Sequence, residues 1–199
     1  MGFFRLISFV FHPLLFSFFG TFLYLLLSPK HVAKQQEYII LAIIFISTYI
    51  LPIFLLMILK KLKVIDSYYL KTIEERKFPT IFFIILSMMI GKMLLNIHLV
   101  DLLAYSFFGI GLALTISYLL FLKQIKTSLH TMGIGGIIGF VMVMSYEYQL
   151  NFTIIISLLF ILAGLIAVSR LKLHAHSSFE VYTGFIVGIL TQFISYQFY

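Results

Sequence analysis

The residues best suited to chemistry are Arg170, His176 and Glu180, which share one polar stretch, 169–184, between two long apolar runs. Arginine offers phosphate a two-pronged cationic fork, histidine a titratable ring nitrogen, and a helix start free backbone N–H groups. His176 and Glu180 are four apart. On one helix face, the carboxylate can hold one ring nitrogen and leave the other for a substrate. Glu180 also stands three residues after Ser177, the spacing of a capping box, and the two roles are compatible. His174, in the same stretch, reads as an interfacial residue.

A second polar stretch, Lys126-Thr127-Ser128-Leu129-His130-Thr131, runs straight into a glycine-rich apolar segment. Thr127 or Ser128 can cap the helix that begins there. The positive end of its dipole then faces any anion beside His130.

These residues carry a resemblance. Ser169-Arg170, five residues, His176, three residues, Glu180-Val181, two residues and Gly184 resembles the third signature of the type 2 phosphatidic acid phosphatase superfamily. That signature has Asp where this chain has Glu180. The second signature, Pro-Ser-Gly-His, corresponds to Thr127-Ser128-Leu129-His130, which keeps Ser and His and lacks Pro and Gly. The first, Lys then six residues then Arg-Pro, is anchored on Pro79, with Lys71 at the Lys position and Phe78 where Arg belongs. Arg76 lies two residues earlier and can supply the guanidinium from a shifted register. Of Lys71 and Arg76, Arg76 is the better phosphate ligand, because its fork is bidentate. The resemblance covers about residues 68–190.

The resemblance implies a lipid phosphate phosphatase that needs neither metal nor cofactor. His176 attacks phosphorus to give a phosphohistidine, Glu180 orients it, and His130 protonates the leaving alkoxide. Arg170, Arg76, Lys71 and Ser128 bind the phosphoryl oxygens. The implied partner is a phospholipid or isoprenoid-lipid phosphate in the bilayer. Two other readings stand beside it: a non-catalytic relative that binds lipid phosphate, and a small transporter or channel with a basic vestibule.

The elements that must position these residues are membrane spans. Of 199 residues, 62% are hydrophobic and 11% charged, with mean hydropathy +1.11; soluble chains carry about 25% charged residues. The expected fold is an all-α polytopic bundle of one domain, 1–199, with about seven spans, six being possible. The expected spans are 3–28, 38–59, 79–97, 102–122, 131–144, 152–168 and 179–198. His12-Pro13 marks a kink in the first, where His12 reads as a buried, satisfied residue. Pro52 softens the second, Pro79 opens the third within its first turn, and Asp101 caps the fourth. Gly135 and Gly139, and Gly184 and Gly188, have the small-xxx-small spacing of close helix approach.

Seven spans place loops 60–78, 123–130 and 169–178 on the N-terminal side. That side carries Arg5, Lys60, Lys61, Lys63, Lys71, Arg76, Lys77, Lys123, Lys126, Arg170 and Lys172, against Lys30 and Lys34 opposite. The positive-inside rule puts it in the cytoplasm, whereas the resemblance implies an extracytoplasmic site. The expected location is a bacterial inner membrane. A net charge of +7, confined to short loops, suits anionic headgroups rather than nucleic acid. With no cysteine, disulfides and thiol chemistry are excluded.

Overall fold

The structure is a computed structural model that describes residues 2–68, 70, 72–97 and 100–199. Its elements are α1 (Gly2–Val10), α2 (Pro13–Leu27), α3 (Lys34–Phe45), α4 (Leu51–Lys61), α5 (Ile73–Leu95), α6 (Asp101–Leu122), α7 (Leu129–Glu147), α8 (Thr153–Lys172) and α9 (Ser178–Tyr196). A π-helical turn, Ile46–Ile50, joins α3 to α4, so Lys34–Lys61 is one span. Six helices are long and apolar enough to cross a bilayer, and α1 with α2 forms a seventh candidate bent by 56°. The chain is therefore a multi-pass, all-helical membrane protein. The 23 residues of α5 rise about 34 Å, enough for a hydrocarbon core of about 30 Å.

Local chemistry places the breaks. Pro13 opens α2 while the His12 ring accepts from the Leu14 N–H at 3.4 Å, so this histidine is an N-cap as well as a kink. Upstream of Pro52 the ladder slips by one residue: the Leu51 N–H reaches the Ile46 carbonyl. That π turn is how the helix absorbs a residue with no N–H.

Three expected boundaries move. Pro79 lies well inside α5 rather than in its first turn, because Thr72 and Glu75 form a capping box that starts the helix at Ile73. Asp101 is the first residue of α6 and not its cap; Val100 holds that position without a side-chain bond. Residues 169–172, expected in a loop, form the last turn of α8.

Four helix ends share one device. Lys63, Gln124, Gln149 and His174 take left-handed backbone angles after α4, α6, α7 and α8. Each next N–H turns back five residues: Val64 to Leu59, Ile125 to Leu120, Leu150 to Ser145, Ala175 to Arg170. These are Schellman closures without the usual glycine. His174 is thus an exposed turn residue, and the reversal it makes carries the chain from Arg170 back to His176.

The centre of the bundle is α7, which packs against α9, α8, α2 and α6. Ile134, Ile138, Val141 and Met144 bury its flanks. Glycines let α7 and α9 meet backbone to backbone: a Cβ on Gly184 would lie 2.6 Å from the Ser128 carbonyl oxygen, and one on Gly139 2.7 Å from that of Ile189. This close approach brings the N-terminal ends of the two helices together.

Candidate active site

Glu180 is the knot at that junction. Its Oε2 accepts from the Ser177 N–H at 3.0 Å, and its own N–H donates to Ser177 Oγ at 3.3 Å, completing the capping box. Oε1 accepts from the Lys126 N–H at 3.3 Å, and the Glu180 carbonyl accepts from the Ser128 N–H at 3.1 Å. Thr131 adds a hydroxyl bond to the Val181 carbonyl at 2.9 Å. The start of α7 is sewn to the start of α9 by groups 50 residues apart or more.

His176 sits immediately before the cap, with its side chain 2% exposed. Its Nδ1 lies 3.0 Å from the Lys126 carbonyl oxygen and 3.1 Å from Glu180 Oε2. Both neighbours are acceptors, so Nδ1 carries the proton and the lone pair of the neutral ring is on Nε2. Burial, and then the Arg76 and Arg170 charges, push this ring below the ordinary imidazole range, to about 4, against the pull of Glu180. The ring is neutral near pH 7, as a nitrogen nucleophile must be. The Glu180 carboxylate thus completes the cap and at the same time contacts the His176 ring.

Arg170, in the last turn of α8, is half-buried and donates through one terminal nitrogen to Ser8 Oγ at 3.0 Å. Its buried Nε has no hydrogen-bond partner, which leaves that donor unspent. Arg76 donates Nε to the Leu70 carbonyl at 2.8 Å, and its charge and that of Arg170 both act on His176. Phe78, at the signature's arginine position, is 52% exposed and points away, while Arg76, about 200° behind it on the helix, turns inward.

His130 is the second residue of α7 and lies within the fields of Arg170, His12 and His176. Its Nε2 is 3.2 Å from the Ser8 carbonyl oxygen, so that nitrogen carries a proton. Ser128, expected as a phosphate ligand, is fully buried and caps α7 through a 3.5 Å bond from the Thr131 N–H; it has no surface to offer an anion here. Lys71 lies outside the described residues. The remaining candidates, Arg76, His130, Arg170, His176 and Glu180, come to one end of the bundle.

Comparison with protein-family models, curated proteins and solved structures returns no match. The chemistry of the site therefore rests on this chain's own geometry.

Sequence reasoning missed Ser8 and read His12 only as a buried, satisfied residue. The His12 and His130 rings meet edge to face at 5.9 Å, and Ser8 touches both His130 and Arg170. The histidine before Pro13 was the available signal. Below the site, a cleft of about 130 Å³ runs between α2, α5, α6, α7 and α9 from Pro13 and Leu129 down to Ser106 and Gln192. Its walls are almost wholly apolar.

Proposed function

We propose that this protein is an integral membrane phosphatase acting on a lipid phosphomonoester or pyrophosphate through a phosphohistidine. The observation that carries the reading is the His176 tautomer: Nδ1 is held by Glu180 and the Lys126 carbonyl, and Nε2 is left as the base lone pair beside two guanidinium groups. The Nε2 lone pair forms the N–P bond as the P–O bond to the lipid breaks. Water then attacks phosphorus as it gives a proton to the neutral His130 ring, the N–P bond breaks, and phosphate leaves with the His176 ring restored. This is covalent catalysis, with Arg170 and Arg76 supplying the electrostatic stabilisation of the phosphoryl oxygens.

His130 serves the leaving alkoxide as the acid. For that it exchanges the Ser8 carbonyl for the ester oxygen and relays to the alkoxide a proton that the phosphomonoester brings as its monoanion. The cleft beginning at Leu129 and Pro13 supports a substrate that carries hydrocarbon. Because the His176 side chain is buried, turnover requires the segments over it to open.

The test is purified protein with radiolabelled phosphatidic acid and polyprenyl pyrophosphate. Wild type should release phosphate and yield an acid-labile, base-stable phosphoprotein on quenching; His176→Ala should abolish both. His130→Ala should slow release by about 10²–10⁴-fold. Binding without turnover would leave the second reading, a lipid-phosphate binding protein. The buried Ser128 and the engaged Nε2 of His130 favour that reading.

A further inference from the structure

The amino-terminal arm reaches the site from the far end of the sequence. Ser169 Oγ donates to the Phe4 carbonyl at 2.7 Å, so in its 2.8 Å contact with Ser8 Oγ it is the acceptor. Ser8 thus spends its one hydroxyl proton on Ser169, and its oxygen accepts from Arg170 at 3.0 Å. The Ser8 carbonyl takes the His130 proton at 3.2 Å. One residue of α1 therefore sets the direction of the Arg170 fork and the tautomer of His130. Four residues on, one α-helical turn, His12 lays its ring against that of His130 and stands within the field of Arg170.

We infer that Ser8 and His12, at the bend between α1 and α2, are positioning residues of the anion site. Ser8 aims the free Nε of Arg170 and the His130 ring at the phosphate, and His12 backs that ring. The inference rests on the phosphate reading for its ligand, but not on turnover. Cap and site roles of His12 separate cleanly. Asparagine is as good an N-cap as any residue, so His12→Asn preserves the start of α2 and removes only the ring.

The experiment measures binding of inorganic phosphate and orthovanadate to the full-length protein in detergent, alongside its melting temperature. Ser8→Ala should weaken both anions about tenfold, the range for one lost charge-assisted bond, with little change in melting temperature. Ser8→Thr, which keeps the hydroxyl, should restore binding. His12→Asn should weaken binding about three- to tenfold, as expected for loss of an aromatic partner. Unchanged affinity in both Ser8→Ala and His12→Asn overturns the inference, as does a fall in melting temperature without any change in affinity. Wild type that binds the anions but releases no phosphate from lipids removes the phosphatase reading and leaves these affinities to decide the inference. Wild type that binds neither anion overturns both.

Discussion

Glu180 accepts three N–H bonds with two carboxylate oxygens, from Ser177, Lys126 and His176. A neutral amide cannot do that. Glu180→Gln must turn its NH₂ toward at least one of those donors, and an unmet buried donor costs about 1–3 kcal/mol. Glu180→Gln is expected to lower both stability and turnover, with turnover falling at least tenfold because the His176 tautomer is no longer held. Glu180→Asp keeps the charge but is shorter, so it should keep the local bonds to Ser177 and lose the reach to Lys126. Retained activity in Asp with loss in Gln, in a phosphate-release assay, is the expected pattern; full activity in Gln would remove Glu180 from the mechanism. His176 gives a second residue-level test. Its folded value of about 4 lies below the unfolded value of about 6.5, so the unfolded chain binds the extra proton first. Stability from this group is present above about pH 6.5 and falls as pH drops toward 4. In ¹⁵N-histidine spectra the His176 ring should stay neutral at pH 6, with the proton on Nδ1, while His130 carries its proton on Nε2. Arg76→Gln removes a cation and should raise the His176 titration; a downward shift would contradict the placement of Arg76.

At the scale of elements, the α7–α9 contact decides whether the site exists. Gly184 faces the Ser128 carbonyl and Thr131 Oγ1 across the seam, at 2.6 Å and 2.9 Å from where a Cβ would stand. Neither of these can move without breaking the cap of α7 or its bond to Val181. Gly184→Val is expected to destabilise the protein by about 1–3 kcal/mol or more through overpacking. It should also weaken anion binding, because His176 loses the Lys126 carbonyl when the helices part. Gly164 is the control. It sits mid-helix in α8 with open space around its Cβ position, and Gly164→Ala should be neutral or slightly stabilising. Thermal melts of the two variants measure the difference; equal melting temperatures would mean that the seam is not under steric control.

For the whole molecule, the site lies at the end of the bundle where α5, α7 and α9 begin and α8 finishes, and that end carries most of the positive charge. The charge bias predicts that it faces the cytoplasm. Because the chain has no cysteine, single cysteines report orientation without background. Ser178→Cys is at the site end and Asn151→Cys at the opposite end, and both positions are exposed. In intact cells a membrane-impermeant maleimide should label Asn151→Cys and spare Ser178→Cys until the membrane is permeabilised. The reverse pattern would place the site outside the cytoplasm, on the side that the phosphatase resemblance implies.

What the sequence determined by itself is local. Apolar runs near the length of a bilayer made the helices legible, His12-Pro13 marked the bend, and Ser177 with Glu180 marked the start of α9. Each depends on residues within a turn or two of one another, and such spacings are written directly in the chain. The boundary at Pro79 was misplaced for the same reason in reverse: the polar start of α5 carries its own capping box, which outweighs the proline as a start signal. Tertiary structure alone decided which groups meet. Ser8 and Arg170 are 162 positions apart, His130 and Ser8 122, and Lys126 and Glu180 54. Those meetings depend on how each helix is rotated about its axis and on how closely glycines let α7 approach α9. Neither quantity is carried by a periodicity, so the contacts of Ser8 and His12 with His130, and the burial of Ser128, were decided only when the helices were packed.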